Sequence, residues 1–187
     1  LVERQFFLNS FGGFDPSYFA GVEEHDLGWQ IWTRGFRVFY MPTARVYHWE
    51  SATFGRRASY HPLKVFLGTR NRLFNMTKNV QNPSKGLVLL VLTDFANFLH
   101  NVRERRLRQA QAIVASYLDY AKNVPRLMER RRIVQKARKL DDRSLTGLGI
   151  LATFMELLRE HRRVAKVIKD PHYSAWTANQ TGSINLK

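Results

Sequence analysis

The densest group of side chains able to move a proton is Glu23-Glu24-His25-Asp26, set in a chain otherwise dominated by Lys and Arg. Carboxylates at a helix start are stabilised as anions by exposed N–H groups and the helix dipole, so helix capping is one reading. The other is a general base or metal site, because adjacent carboxylates cannot all face solvent on one helix side. His48 closes an alternating run, Ala44-Arg45-Val46-Tyr47-His48. Its neutral imidazole would suit a divalent metal; between Tyr47 and Trp49 it would equally suit aromatic packing. Arg56 and Arg57 lie in a segment rich in small residues, where they would be solvated or would clamp a phosphate.

These groups need elements to hold them. Gly12-Gly13 marks a turn, and a short amphipathic helix is expected from about Glu24 to Arg34, with Leu27 and Ile31 on one side and Gly35 as a left-handed stop. Phe36-Arg37-Val38-Phe39-Tyr40 is rich in strand formers and predicts a strand. Met41-Pro42-Thr43 breaks it, and residues 44–48 predict a second extended piece with Ala44, Val46 and His48 on one face. Ser51 to Tyr60 reads as a mobile loop. Pro62 suits the first turn of a helix to about Asn79 that buries Leu63, Phe66, Leu67 and Phe74.

The second part is expected to be helical, opening at Asn82-Pro83 as cap and first turn. The apolar run Gly86 to Leu92 ends at Asp94 and is too short to span a bilayer, which takes about 20 residues. Asn123 to Pro125 and Asp142 to Ser144 look like further helix starts, with the last helix ending near Lys169 before Asp170-Pro171. This divides the chain into 1–80, a basic helical region 81–171 and a loose tail 172–187.

The chain has 187 residues, 44% of them hydrophobic, no Cys and a net charge of +15. That content supports a core and excludes wholesale disorder. A disulfide scaffold and Cys-ligated metals are excluded as well. The charge is uneven: residues 1–80 hold 10 basic and 6 acidic side chains, residues 81–187 hold 20 and 9. No signal peptide is visible behind the Leu1 start, which suggests a chain processed or cut from something longer.

Taken in order, Phe11-Gly12-Gly13-Phe14-Asp15-Pro16-Ser17-Tyr18-Phe19, Glu23-Glu24-His25-Asp26-Leu27, Gly35 to Pro42, Ala44 to His48 and Arg70-Asn71-Arg72-Leu73 resemble family 2 glycosyltransferases. The rhamnosyltransferase-like branch, which builds bacterial surface polysaccharides, is the nearer likeness. It covers residues 1–80, is looser over 81–140, and is not claimed beyond about 145. The resemblance implies an α/β chain: the C-terminal, acceptor-side part of a GT-A nucleotide-diphospho-sugar transferase fold, followed by a basic, mainly helical tail. It implies inverting transfer from a nucleotide-diphosphate sugar donor to a glycan or lipid-linked acceptor, with Mg²⁺ or Mn²⁺. Glu24 then falls at the general base, with Glu where the family usually has Asp. Glu23 and Asp26 would support the acceptor or the helix start. Gly12, Gly13, Phe14 and Asp15 match the acceptor-side turn, and His48 the metal-ligand histidine. Arg56, Arg57 and Arg70 would face the leaving diphosphate. No Asp-x-Asp motif and no donor-binding half are present, so activity is expected to need them.

From Arg103 to Arg143, 13 basic and 5 acidic residues interleave with apolar ones at helical spacing. This suits helices lying on an anionic membrane surface, or an ordinary solvated basic face. The expected location is cytoplasmic, peripheral at the inner face of the plasma membrane. A basic non-catalytic module that binds an anionic membrane surface or nucleic acid is the alternative. Nucleic acid is disfavoured, since no known binding motif occurs and Glu23 to Asp26 would meet a polyanion badly. Strands lacking their neighbours would expose edges, predicting self-association.

Overall fold

The computed structural model describes residues 2–45 and 61–152, together with Glu156 and Arg159. Among these it places α1 (Arg4–Phe11), a 3-10 turn (Pro16–Tyr18), α2 (Glu23–Thr33), α3 (Pro62–Asn79), α4 (Ser84–Arg103), α5 (Leu107–Lys136) and α6 (Asp142–Gly147). The chain divides into two compact units, Leu1–Asp141 and Asp142–Lys187.

The expected α/β, GT-A fold is overturned: the described residues form helices and connections, with no strand or sheet. Phe36 to Tyr40 shows why. Strand formers yield a strand only when a neighbouring strand takes up their N–H and C=O groups; among the described residues no strand lies beside this segment, and Phe36 N–H turns back to Ile31 O at 3.0 Å. It runs irregularly with Phe39 and Tyr40 largely exposed. Phe36 instead sets its ring edge-on against Phe6 and Phe11 of α1. Ala44 and Arg45 belong to no ladder either, and residues 46–60, with His48, Arg56 and Arg57, lie outside the described residues.

The helices match their local signals more closely. Helix α2 ends as expected, with Gly35 at φ 82°. Helix α3 starts at Pro62, and the His61 side chain accepts from Leu63 N–H. Leu67 and Phe74 are buried in it, whereas Leu63 is exposed. Helix α4 begins one residue later than read: Pro83 is its N-cap and Asn82 lies outside it. No break occurs at Asn123 to Pro125; α5 passes through Pro125 as one 30-residue helix. Interior proline costs roughly 3 kcal/mol, and contacts on both sides oppose that cost. Tyr120 and Leu127 flank it and pack with Tyr18 and Phe74, while Asn123 donates to the Asp119 carbonyl at 2.8 Å.

In the first unit α3 lies between α2, α4 and α5 and packs most extensively on α5. The apolar core is small, centred on Tyr18, Phe74 and Leu127 with Val22 and Tyr120 beside it. Much of the buried surface is polar: Asp26, Gln30, Thr33, Asn71, Asn75, Lys78 and Asn79. The C-terminal end of α3 is capped from α5. Arg131 Nη1 donates to the carbonyls of Thr77 (2.5 Å) and Val80 (2.6 Å), and Nη2 to that of Gln81 (2.7 Å). Gln135 Nε2 donates to Lys78 O at 2.9 Å, and Arg138 reaches Asn79 O. Charged donors thus satisfy carbonyls a helix end leaves orphaned and oppose the negative end of its dipole.

In the second unit α6 begins at Asp142 as read, and the Thr146 hydroxyl donates to Asp142 O at 2.9 Å. No described helix is long and apolar enough to cross a membrane.

Candidate acceptor site around a buried lysine

Helix α1 stops at Gly12, which sits at φ 72° with Gly13 at 86°, a pair of left-handed residues that L side chains resist. The chain therefore turns sharply into Phe14 and Asp15. Asp15 caps the 3-10 turn, accepting from the backbone N–H (3.0 Å) and hydroxyl of Ser17, and Pro16 occupies the first position. Between this turn and α2, Phe19 and Val22 hold positive φ of 60° and 73°. Each costs about 1–2 kcal/mol.

What holds that strained segment is the pair Arg70-Asn71 on α3. Asn71 Nδ2, fully buried, shares its two protons among the carbonyls of Tyr18 (2.9 Å), Ala20 (3.0 Å) and Gly21 (2.7 Å). Arg70 Nη2 donates to Ser17 O at 2.8 Å and Nη1 approaches Asp119 at 3.4 Å. Its guanidinium lies over the rings of Phe66 and Phe74. Arg70, expected at a diphosphate, is engaged here with the carbonyls of the 3-10 turn and with Asp119 of α5.

About two turns further along α3, the Lys78 ammonium bridges the two segments. Its Nζ lies 2.9 Å from Asp15 Oδ2 and 2.8 Å from Asp26 Oδ1, with all three side chains under 10% exposed. Arg130 Nη1 adds a contact to Asp15 Oδ1 at 2.6 Å. Asp26 also accepts from Asn79 (2.7 Å), Gln30 (3.0 Å) and the Tyr18 hydroxyl (3.3 Å). Two carboxylates thus face two cations, so burial leaves no net charge, the condition under which a buried ionic cluster is tolerable. Burial alone would raise the Asp15 carboxyl; hydrogen bonds from Ser17 and Lys78 and the Lys78 charge outweigh it and hold it well below the usual carboxylate range. Burial, then the Asp26 and Asp15 charges, push the Tyr18 phenol far up, keeping it a neutral donor.

The acidic cluster therefore splits by environment. Asp26 is buried and saturated with donors. Glu24 is exposed, and among the described residues its charged contact is His25 Nδ1 at 3.6 Å. Glu23 is half-buried, and its Oε2 is buried with no hydrogen-bond donor among the described residues. No side chain caps the start of α2, where Val22 is the N-cap. Glu23 and Glu24 thus keep free acceptor capacity at an uncapped helix start, whereas Asp26 spends its own on the cluster.

Gly12, Gly13, Phe14 and Asp15 come together as part of the lining of a pocket of about 440 Å³ that Arg34, Arg126 and Arg130 also line. Glu23 and Glu24 do not line it. Burial lowers the Arg34 guanidinium from its ordinary value, opposed by Asp26, and its Nε has no partner among the described residues. Arg126 makes no ion pair among the described residues and stands at the pocket with Glu129. The carboxylates best placed to share a metal, Asp15 and Asp26, do not fit one, because the Lys78 ammonium fills the position between them. No group of three or more His, Asp or Glu suited to a metal occurs among the described residues.

Lys78, Asn79 and Arg130 carry no motif and escaped sequence reasoning. A signal was present: Asn71, Asn75, Lys78 and Asn79 recur at helical spacing on one face of α3. That is a polar stripe of weak helix formers which only inward hydrogen bonds would favour.

Comparison with family models, curated proteins and solved structures gives no match to this chain.

Proposed function

We propose that this chain supplies the acceptor side of an inverting sugar transfer, from a nucleotide-diphosphate sugar to a glycan or lipid-linked acceptor of a bacterial surface polysaccharide, at the cytoplasmic face of the plasma membrane. The observation that carries the reading is the Lys78 bridge. It joins the Gly12–Asp15 turn to the acidic start of α2, two segments the family resemblance assigns to one acceptor site. Phe14 and the glycine backbone offer a sugar an apolar face and a close approach, while Arg126 and Arg130 offer donors. Glu24, exposed at the start of α2 and outside the pocket lining, is the base the resemblance assigns: for an acceptor hydroxyl that extends beyond the pocket to α2, its carboxylate takes the proton as that oxygen attacks the anomeric carbon and the diphosphate departs. Asp26 acts as a fixed anchor. We assign the donor and its metal no site among the described residues.

Two measurements test this. Acceptor oligosaccharide added to the chain should shift the amide resonances of Gly12, Gly13 and Phe14; unmoved resonances at saturating glycan would reject the acceptor site. In the polypeptide as its gene encodes it, Glu24→Gln should lower kcat by about 10²–10⁴-fold with unchanged melting temperature. Undiminished transfer would reject the base.

A further inference from the structure

Helix α4 carries its buried and bare apolar surfaces on different sides. Asp94 points inward, accepting from Arg72 Nη2 (2.6 Å) of α3 and the Tyr117 hydroxyl (3.0 Å) of α5. To one side of it Gly86 sits so close to Met76 of α3 that an added Cβ would lie 2.5 Å from the sulfur. At about 100° per residue, Val88, Val91, Leu92, Phe95, Leu99 and Val102 fall on the other side, in the i, i+3, i+4, i+7 pattern of a core stripe. All six are exposed, Leu92 at 62% and Phe95 at 58%.

Helix α5 repeats this arrangement. Tyr117 faces α4, and Leu107, Val114 and Leu118, about a quarter turn away, are exposed as well. The two helices run antiparallel, Asp94 and Tyr117 meeting at nearly matching positions either side of the turn at 104–106. Because both are right-handed, their stripes turn to the same side of the hairpin, opposite the side α3 covers. The result is one continuous apolar face without an acidic side chain. At its end Arg103, Arg105 and Arg108 are exposed. Arg105 holds φ 56°, a left-handed position that glycine would occupy at less cost.

We infer that the open side of the α4–α5 hairpin is a docking surface for an anionic lipid bilayer, with the two stripes at the acyl boundary and the Arg cluster on headgroup phosphates. Charge selects this occupant: a second copy would bring another chain of net charge +15 against a basic rim, whereas an anionic leaflet complements it. An apolar face edged by Arg is the pattern of an interfacial helix. The inference rests on this surface alone and stands whether or not the chain transfers sugar.

The test is sedimentation of the full chain with phosphatidylcholine vesicles containing phosphatidylglycerol, against phosphatidylcholine alone. Binding should require the anionic lipid and fall in high salt. Leu92→Asp with Phe95→Asp should weaken it by about 100-fold while the melting temperature holds. Arg103→Glu with Arg108→Glu should weaken it at least tenfold. Any of four results overturns the inference: vesicle binding indifferent to these variants; a dimer that the apolar variants dissociate; a fall in melting temperature, which would mean other residues of the chain cover the face; or salt-sensitive binding to duplex DNA without vesicle binding.

Discussion

The two ends of the basic helical region use the same residue types in opposite ways. Near the C-terminus of α5, Arg130, Arg131 and Arg138 turn inward, onto Asp15 and the carbonyls ending α3. At the α4–α5 turn, Arg103, Arg105 and Arg108 face solvent beside an uncovered apolar stripe. The first end is part of the fold; the second contributes nothing visible to it. A net charge is therefore not one property of a region. Its meaning is set, residue by residue, by whether an acceptor lies within reach.

The strongest way to break this contrast is at the inward end. Lys78→Met leaves Asp15 and Asp26 buried without their shared cation. It should cost about 3–5 kcal/mol, read by urea unfolding, with part recovered on adding Asp26→Asn. A loss under 1 kcal/mol would mean the bridge is not buried as described. Arg131→Ala removes three charged hydrogen bonds to the end of α3 and should cost about 1.5–3 kcal/mol, without altering vesicle binding. The smallest effect should come at the outward end, with opposite signs. Arg105→Gly relieves a left-handed side chain and should stabilise the fold by about 1 kcal/mol. It should weaken vesicle binding by about fivefold, the worth of one basic residue at a lipid surface. If Arg105→Gly destabilised the fold, Arg105 would belong with the inward group.

Helix bounds were largely legible, because caps and breakers are local. Pro62 and Gly35 stand where a helix starts and stops, and α2 and α3 follow them. The strand expected over Phe36 to Tyr40 failed because a ladder is a non-local object, and local preference cannot supply the partner. Pro125 misled in the reverse direction: its local rule is real, but packing around Tyr120 and Leu127 prevails. At the site, Asp15 and the Glu23–Asp26 cluster were visible as carboxylates, but their division was not. Which one is buried depends on Lys78, more than 50 positions away from Asp26 along the chain. Lysine in a helix reads as solvated unless the polar stripe beneath it is noticed.

Hydrogen exchange on the full chain, with and without anionic vesicles, tests the contrast most directly. Vesicles should slow exchange across α4 and residues 107–118 of α5, and leave residues 126–138, with the Lys78 bridge, unchanged. Protection confined to 126–138, or none in the hairpin while the protein sediments with the vesicles, would contradict the account.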